Sequence, residues 1–312
     1  MKLKKHIKMN LQQINDRIKE IEEWQQQGMD KTEATSLVEE ALKEYVGDDR
    51  IVAIKEYVMP IVDQKNSIVS GIADLDKIIG RFKKGDIFTI TAGSGVGKST
   101  FARELLIRFS EQGKKCLYFS YEDRNEGLIE KLGEDIPDGY IPNVLTEKSL
   151  TWIDARILES ILKYKVEIVF IDNLKAITDF SSRNVNNSIE ATMQRIKEIA
   201  MKYNISIFLC AHIKKEEGKI IDINSIKDSS AVADISTLVF ALKRLEAQQN
   251  KKDKLENGIK KTNYTLVSII KNRNNGKEES FKLLFVPKGE SGRYIQDTNQ
   301  NIVSQEEIKV EY

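Results

Sequence analysis

The chain has 312 residues, 40% of them hydrophobic, which is enough for one large domain or a medium domain with a small appendage. Its 49 basic and 48 acidic side chains nearly cancel to a formal charge of +1, so any contact with nucleic acid must be local. Two cysteines and no apolar stretch of membrane-spanning length argue against a disulfide scaffold, a zinc cluster and a membrane protein. We therefore expect a soluble protein of a reducing cytoplasm.

The first part of the chain, residues 1–66, is predicted to be a small helical region. Apolar residues spaced three, four and three apart indicate an amphipathic helix; they are Leu11, Ile14, Ile18 and Ile21. Asp30 and Glu33 mark the start of a second helix that continues to Gly47. Two such helices bury little alone. They pack either on the chain's own main domain, which we favour, or on a neighbouring subunit or partner.

Residues 67–312 alternate short apolar runs with amphipathic segments. The runs expected to be strands are 87–91, 116–120, 168–172, 206–210 and 237–242. This alternation predicts an α/β fold with a mostly parallel sheet and helices on both faces. Two more runs, 264–270 and 281–286, flank the polar turn KNRNNGKEES and predict a C-terminal antiparallel hairpin.

The segment TAGSGVGKST at residues 91–100 lies between a predicted strand and a predicted helix, as a phosphate-binding loop must. Its glycines let backbone amides turn toward anionic oxygens, and the helix adds its positive end. Lys98 would reach the terminal phosphates, and the Ser99 hydroxyl would bind magnesium. The predicted site for ATP, or another nucleoside triphosphate, with Mg²⁺ comprises Ala92, Gly93, Ser94, Gly95, Val96, Gly97, Lys98, Ser99 and Thr100.

Two acids follow predicted strands and complete this site. Asp172 ends the run IVFID and Glu122 ends CLYFSYE. Either acid alone could cap a loop, but two acids at strand ends beside a phosphate loop favour a catalytic arrangement. We assign Asp172 to the metal and Glu122 to the general base.

Several motifs follow one another in a recognisable order: GIADLDKIIGRFKKGDIFTITAGSGVGKSTFARELL, YFSYEDRNEGL, IVFIDNL, CAHIKKEEGK, DINSIKDSSAVADISTLVFALKR and SIIKNRNNG. Over roughly residues 68–295 they resemble the RecA-type motor domain of hexameric replicative DNA helicases. The histidine after the fourth core strand is similar to the phage helicase-primase and Twinkle branch, whereas DnaB tends to carry glutamine there. The resemblance implies a RecA-like fold and a homo-oligomeric ring, a hexamer, driven by ATP along single-stranded DNA.

The resemblance also implies roles for two loops. The residue that matches His212 contacts the terminal phosphate, and the loop after it grips DNA with lysines. Here that loop offers Lys214, Lys215 and Lys219, and Lys227 matches a second DNA-contacting loop. From the residues alone a solvated loop stays open as an alternative, because nearby glutamates dilute the positive charge.

Four further residues take their roles from the resemblance. Arg273 and Lys271 match a pair that reaches across the subunit boundary to the neighbour's triphosphate as an arginine finger. Arg244 and Phe285 match positions that sandwich the nucleotide base. Phe285 could also be a core residue, since aromatic residues in strands usually pack.

The expected function is an ATP-dependent ring-shaped DNA helicase acting in replication. No zinc-binding cysteines or primase-like region precede the motor, so we expect no primer synthesis, and a separate primase or loader would be a partner. A short motor of this kind suits a phage or mobile element in a bacterial host. The alternatives are a DNA-binding ATPase that does not unwind, like recombinase or clock-type relatives, and an accessory replication ATPase.

Overall fold

The computed structural model describes most of the chain. The described residues are 11–43, 54, 67–145, 147–181, 184–212, 230–246, 261–286, 293–296 and 303–304. The chain divides into two compact units, residues 1–62 and 63–312.

In the first unit, helices α1 (Leu11–Gln26) and α2 (Lys31–Lys43) pack against each other. The carboxylate of Asp30 accepts hydrogen bonds from the backbone N–H of Thr32 at 2.8 Å and of Glu33 at 3.3 Å. These bonds satisfy two amides that would otherwise lack partners at the start of α2, so the predicted helix start is confirmed. The predicted continuation of α2 to Gly47 lies outside the described residues.

The second unit is built on one large sheet. Its described strands are β1 (Ile87–Ala92), β2 (Cys116–Ser120), β3 (Gly139–Tyr140), β4 (Ile168–Asp172), β5 (Ser206–His212), β6 (Leu238–Glu246), β7 (Lys261–Asn272), β8 (Glu279–Phe285), β9 (Tyr294–Gln296) and β10 (Val303–Ser304). They lie in the order β10-β8-β7-β6-β1-β5-β4-β2-β3, and β9 pairs with β8. The strands from β6 to β3 are parallel, and β7 to β10 continue the sheet antiparallel, which confirms the predicted mixed sheet with its C-terminal hairpin.

Helices cover both faces of this sheet. They are α3 (Ala73–Ile79), α4 (Lys98–Glu111), α5 (Asn125–Leu132), α6 (Leu150–Tyr164), α7 (Leu174–Ile177), α8 (Val185–Tyr203) and α9 (Ser230–Ile235). Successive strand residues point to opposite faces, so alternate residues of each parallel strand enter two separate cores. In β4, Phe170 joins the core under α3 and α4, whereas Val169 joins the core under α6 and α8. Burial on both faces explains why these strands are continuously apolar.

Local signals fix the ends of two of the longer helices. The Ser149 hydroxyl accepts a hydrogen bond from the backbone N–H of Trp152 at the start of α6, and Asn184 caps α8 through the N–H of Asn187. Helix α8 ends at Tyr203 and is followed by Asn204, whose left-handed backbone (φ 50°) is common directly after a helix. These caps define where α6 and α8 begin and where α8 ends.

Both cysteines are free thiols buried in the sheet, Cys116 in β2 and Cys210 in β5. Within the part of the chain that the structure describes, every helix is too short or too polar to cross a lipid bilayer.

A cluster of aromatic rings packs between α4 and the sheet in the second unit. Phe208 is 1% exposed, and its ring centroid lies 4.9 to 5.3 Å from those of Phe88, Phe109, Phe170 and Phe82. We expect Phe208→Ala to lower the free energy of unfolding by about 3–5 kcal/mol, because it leaves a cavity that these rings cannot fill.

Urea unfolding followed by circular dichroism measures this change. The matched control is Leu162→Ala on α6, whose side chain is 65% exposed and should shift the unfolding free energy by less than about 0.5 kcal/mol. Equal losses for both variants would contradict the assignment of this core.

Candidate active site

The site forms where the carboxyl ends of the parallel strands meet. Strand β1 ends at Ala92 beside His212 of β5, and β2 ends at Ser120 beside Asp172 of β4. In open parallel sheets, ligands usually bind at the carboxyl ends of the strands, where the following helices begin. The sequence-predicted residues of the phosphate loop and of both strand-end acids lie there.

The segment after β1 turns sharply into α4. Gly95 (φ 73°) and Gly97 (φ 114°) have left-handed backbones that other residues adopt only with strain. A side chain at Gly95 would meet no atom within 4 Å, so this part of the loop faces open space. Lys98 is the first residue of α4, and the exposed amides of the turn and of the helix start can bind an anion.

The loop also has a neighbour that the sequence did not indicate. A Cβ atom placed on Gly97 would lie 2.8 Å from the hydroxyl oxygen of Tyr294, on β9. The Tyr294 hydroxyl is 3.3 Å from that of Thr265, and the Tyr294 backbone N–H donates to the buried Glu104 carboxylate on α4 at 3.0 Å. Strand β9 is therefore fixed to the phosphate-loop helix and closes one side of the loop.

The Glu122 carboxylate is the centre of the site. It accepts hydrogen bonds from the Ser99 hydroxyl at 3.2 Å and from the side-chain amide of Asn173, and it lies 3.7 Å from the Lys98 amine. Its Oε1 is 3.1 Å from Nε2 of His212. Four of the predicted residues, Glu122, Lys98, Ser99 and His212, are thus in direct contact.

These contacts determine the charge of the site. The hydrogen bond from His212, and then the positive charge of Lys98 and the amide of Asn173, outweigh partial burial and lower the pKa of Glu122 to about 2. A carboxylate only accepts, so the bond to Glu122 places a proton on Nε2 of His212. The Lys98 amine and the Asn173 amide are each 3.5 Å from that nitrogen, and because all three groups are donors they share the Glu122 carboxylate as their acceptor and do not bond to one another.

Asp172 is 3% exposed and one of its oxygens has a fixed partner. Oδ2 accepts a hydrogen bond from the Tyr118 hydroxyl at 3.0 Å. Burial, followed by the Asp172 charge, raises the pKa of Tyr118, so this hydroxyl stays protonated and keeps donating. Among the described residues Oδ1 accepts no hydrogen bond, although the Cys210 thiol lies close to the carboxylate.

A thiol is a weak donor, so this buried carboxylate oxygen lacks a strong hydrogen bond, and a hard cation would offset the free-energy cost of burying it. The described residues contain no cluster of three His, Cys, Asp or Glu side chains suited to a metal by themselves. Magnesium at triphosphate sites needs no such cluster, because it is held by one or two protein oxygens plus phosphates and water. Asp172 and Ser99 fit that requirement.

The predicted base-sandwiching residues lie on the antiparallel side of the sheet. Phe285 ends β8, where its ring centroid is 5.3 Å from that of Tyr294, and it packs partly against the core. Arg244 on β6 is within electrostatic range of Tyr294, and its buried Nε has no hydrogen-bond partner among the described residues. Tyr294 therefore lies beside both Gly97 of the phosphate loop and the ring of Phe285, with the charge of Arg244 nearby.

Arg273 and Lys271 lie near the amino ends of the parallel strands, at the end opposite to the phosphate loop. The Arg273 backbone N–H donates to the carbonyl of Thr237 at 3.0 Å, and the Thr237 backbone N–H in turn donates to the carbonyl of Ile87, where β1 begins. The phosphate loop starts at the other end of β1, about 16 Å away at roughly 3.3 Å per residue. The Arg273 side chain is exposed and cannot reach the phosphate loop of its own chain.

The four predicted DNA-contacting lysines, Lys214, Lys215, Lys219 and Lys227, lie outside the described residues. Sequence reasoning missed Asn173, Tyr118 and Tyr294. Asn173 had a usable signal, since it directly follows Asp172 at a strand end. Tyr118 and Tyr294 had none, because their partners are 54 and 197 positions away in the chain.

The fold and the arrangement of its strand-end residues define a RecA-like α/β ATPase domain. A sequence model of the AAA domain family (AAA_25) matches residues 61–218, just over half of the chain. The chain therefore belongs to the AAA domain family.

Solved structures support the same fold. One isolated ATPase domain superimposes with a TM-score of 0.62 at 17% identity, covering 74% of this chain and 91% of that one. A DnaB-like replicative helicase, solved for its interactions with primase, gives a TM-score of 0.62 at 17% identity over 91% of this chain and 75% of that one. The resemblance to helicase motor domains predicted from the motifs is thus confirmed at the level of the fold.

Curated relatives are DNA repair proteins RadA. The protein from Campylobacter jejuni is 30% identical over 149 residues, which are 46% of this chain and 32% of that protein. The protein from Mycobacterium tuberculosis is 23% identical over 156 residues, which are 47% of this chain and 31% of that protein. The chain spans about a third of the length of these relatives.

The contact between Gly97 and Tyr294 predicts that alanine destabilises the protein more at position 97 than at position 93. Gly97→Ala places a Cβ 2.8 Å from the Tyr294 hydroxyl and forces alanine to a φ of 114°, so we expect a loss of about 2 kcal/mol in unfolding free energy. Gly93→Ala is the matched control, since its Cβ would make an ordinary 3.5 Å contact with Val96. Thermal unfolding measures both, and equal stability of the two variants would disprove the contact.

The low pKa of Glu122 predicts that replacing His212 changes the pH at which Glu122 titrates. A carboxyl whose pKa is lowered from 4.5 to about 2 stabilises the fold above the pH where the unfolded group ionises, and this stabilisation is lost as pH falls through about 2. His212→Ala removes the largest cause and should move the Glu122 pKa back toward 4.5. Carbon-13 NMR of glutamate carboxyls would show titration of Glu122 in the variant but not in the parent above about pH 3.

Asn173→Ala, which removes a smaller cause, is the control and should raise the Glu122 pKa by less. Titration of Glu122 near 4.5 in the parent protein would show that the hydrogen bond from His212 is not formed in solution.

Proposed function

We propose that this chain is an ATP-dependent, ring-forming translocase and helicase that moves along single-stranded DNA in replication. The observation that carries the proposal is the Glu122 carboxylate in contact with Lys98, Ser99 and His212 at the carboxyl edge of a RecA-like sheet. A base, a phosphate-binding lysine, a metal-binding hydroxyl and a polar sensor are the parts that triphosphate hydrolysis requires.

Each residue has a separate task in this mechanism. The amides of the phosphate loop and the Lys98 amine bind the triphosphate. Ser99 and Asp172 would hold Mg²⁺, which would supply positive charge to offset the charge that develops on the phosphate oxygens. Glu122 accepts a proton from the attacking water, and His212 donates from Nε2 toward the terminal phosphate. Arg244 and Phe285 enclose the base.

Binding of a triphosphate changes the partners of Glu122. In the structure, the carboxylate is the common negative partner of the Lys98 amine, the Ser99 hydroxyl and the His212 ring. Phosphate oxygens compete for the same donors, which releases Glu122 to hold the attacking water. Loss of the His212 bond also raises the Glu122 pKa, which makes the carboxylate a better base.

The position of Arg273 supports a site that two copies of the chain share. An exposed arginine beside the start of β1, a strand about 16 Å long that separates it from its own phosphate loop, does not contribute there, but the same arginine is available to a neighbouring copy. We infer a homo-oligomer, with six members by the predicted resemblance. In this arrangement residues 1–66 act as a docking region for the adjacent subunit or for a partner such as a primase or loader.

The DNA contacts belong to the proposal as well. Lys214, Lys215 and Lys219 lie two to seven positions after His212 in the sequence, so a change at the terminal phosphate can alter the contacts of these lysines with DNA phosphates. Lys227 adds a further cation. A phage or mobile element in the cytoplasm of a bacterial host remains our proposed setting.

A second candidate function is favoured by the curated relatives, which are DNA repair proteins RadA. In that case the chain would be a DNA-binding ATPase with a repair or recombination role that does not unwind a replication fork. A forked duplex with a labelled strand separates the two candidates. ATP-dependent strand displacement supports the helicase, whereas DNA-stimulated hydrolysis without displacement supports the second candidate.

The shared site predicts distinct behaviour of two variants. Arg273→Ala should lower ATP turnover by about 10³-fold, because charge on the transferred phosphate loses its stabilising cation. Lys98→Ala should abolish turnover by weakening triphosphate binding in its own subunit. Steady-state hydrolysis and binding of a fluorescent ATP analogue distinguish them, because only Lys98→Ala should lose binding.

Mixing the two inactive variants tests whether the arginine acts in trans. A Lys98→Ala subunit still supplies Arg273 to a neighbour whose own phosphate loop is intact, so mixed assemblies should regain part of the activity. No recovery on mixing, or undiminished hydrolysis by Arg273→Ala alone, would contradict a shared site.

A further inference from the structure

The amine of Lys271 is engaged within its own chain. It donates hydrogen bonds to the backbone carbonyl oxygen of Ala233 and, at 3.3 Å, to that of Asp234. Both carbonyls belong to the last turn of α9. The side chain of Lys271 thus leaves β7 and caps the carboxyl end of a helix from a different part of the chain.

This contact has a clear physical basis. The last carbonyls of a helix have no partner within the helix and carry partial negative charge, which a nearby cation stabilises. Lys271 is half-buried, and burial followed by the charge of Arg273 lowers its pKa. An amine held in such surroundings needs its two carbonyl partners and is not simply a solvated cation.

A second bond joins the same two segments. The Arg273 backbone N–H donates to the carbonyl of Thr237 at 3.0 Å, three residues after Asp234. The backbone of Lys271 also lies opposite that of Val239 in the antiparallel pair of β6 and β7. The turn that carries Arg273 is therefore attached to α9 by a side chain and to the start of β6 by its backbone.

We propose that Lys271 is a positioning residue, which fixes the turn of Arg273 against the end of α9 so that Arg273 points to the neighbouring copy. This inference deepens the proposed function and rests on it. It differs from the role that the helicase resemblance implies, in which Lys271 itself meets the neighbour's phosphate. To reach that phosphate, the amine would have to give up both carbonyls.

Double-variant kinetics test the proposal. Lys271→Met should lower kcat by about 10²-fold with little change in KM, because a displaced arginine loses stabilisation of the transition state and not of bound ATP. Adding Lys271→Met to Arg273→Ala should lower turnover by no more than about twofold, since no arginine remains to be positioned. Lys271→Arg, which can still bond both carbonyls, should restore most of the activity.

Hydrogen exchange measured by mass spectrometry tests the contact itself. Lys271→Met should speed exchange in the peptide covering residues 230–237 and leave the peptide covering 98–111 unchanged. Arg273→Ala is the matched control and should leave 230–237 as in the parent. A slower or unchanged 230–237 peptide in Lys271→Met would overturn the contact.

The remaining outcomes are decisive as well. If the Lys271→Met and Arg273→Ala effects multiply in the double variant, Lys271 acts on the phosphate independently and the positioning role is wrong. If the parent hydrolyses no ATP, or Arg273→Ala leaves hydrolysis intact, the proposed function fails first. The exchange comparison still decides in that case whether Lys271 holds α9.

Discussion

A buried lysine requires an anion, and this requirement organises the site. Lys98 is 5% exposed at the start of α4, where the helix already concentrates positive charge. The Glu122 carboxylate, 3.7 Å away, supplies the negative charge in the structure as described. A terminal phosphate would supply it more fully, because it also reaches the loop amides. The same cationic centre therefore accounts for the present position of Glu122 and for the expected release of Glu122 by a nucleotide.

Much of the fold could be predicted because its strands are buried on both faces. Continuous apolar runs such as 168–172 leave few alternatives to a parallel strand, and β2 and β4 have the predicted bounds. The ends of other strands were less predictable. Strand β5 continues to His212 and β6 continues to Glu246, since neighbouring strands offer hydrogen-bond partners to polar residues too. Strands β3, β9 and β10 have two or three residues each, too few for any periodic signal.

In the site, too, residues that depend on neighbouring sequence could be predicted, whereas contacts between distant parts of the chain could not. Lys98 and Ser99 were predictable because the loop, the strand before it and the helix after it are adjacent in sequence. Glu122 and Asp172 were predictable from their place at strand ends. The contact of Tyr294 with Gly97 depends on the path of the last strands, which no local pattern indicates. The hydrogen bonds of Lys271 with α9 are a similar case: the motif resemblance predicted a contact of Lys271 with the neighbour's triphosphate, and no local pattern indicated its carbonyl partners on α9.

The separation of Arg273 from the phosphate loop has a consequence for assembly. In the proposed shared site, each copy would carry half of one site at the carboxyl ends of its parallel strands and half of another near their amino ends, so copies would associate head to tail. An open row of n copies would then contain n − 1 complete sites, and closing the row would add the last one. In the proposed assembly, closure would therefore add catalytic capacity as well as contacts, and a gap would leave one site inactive and the others intact.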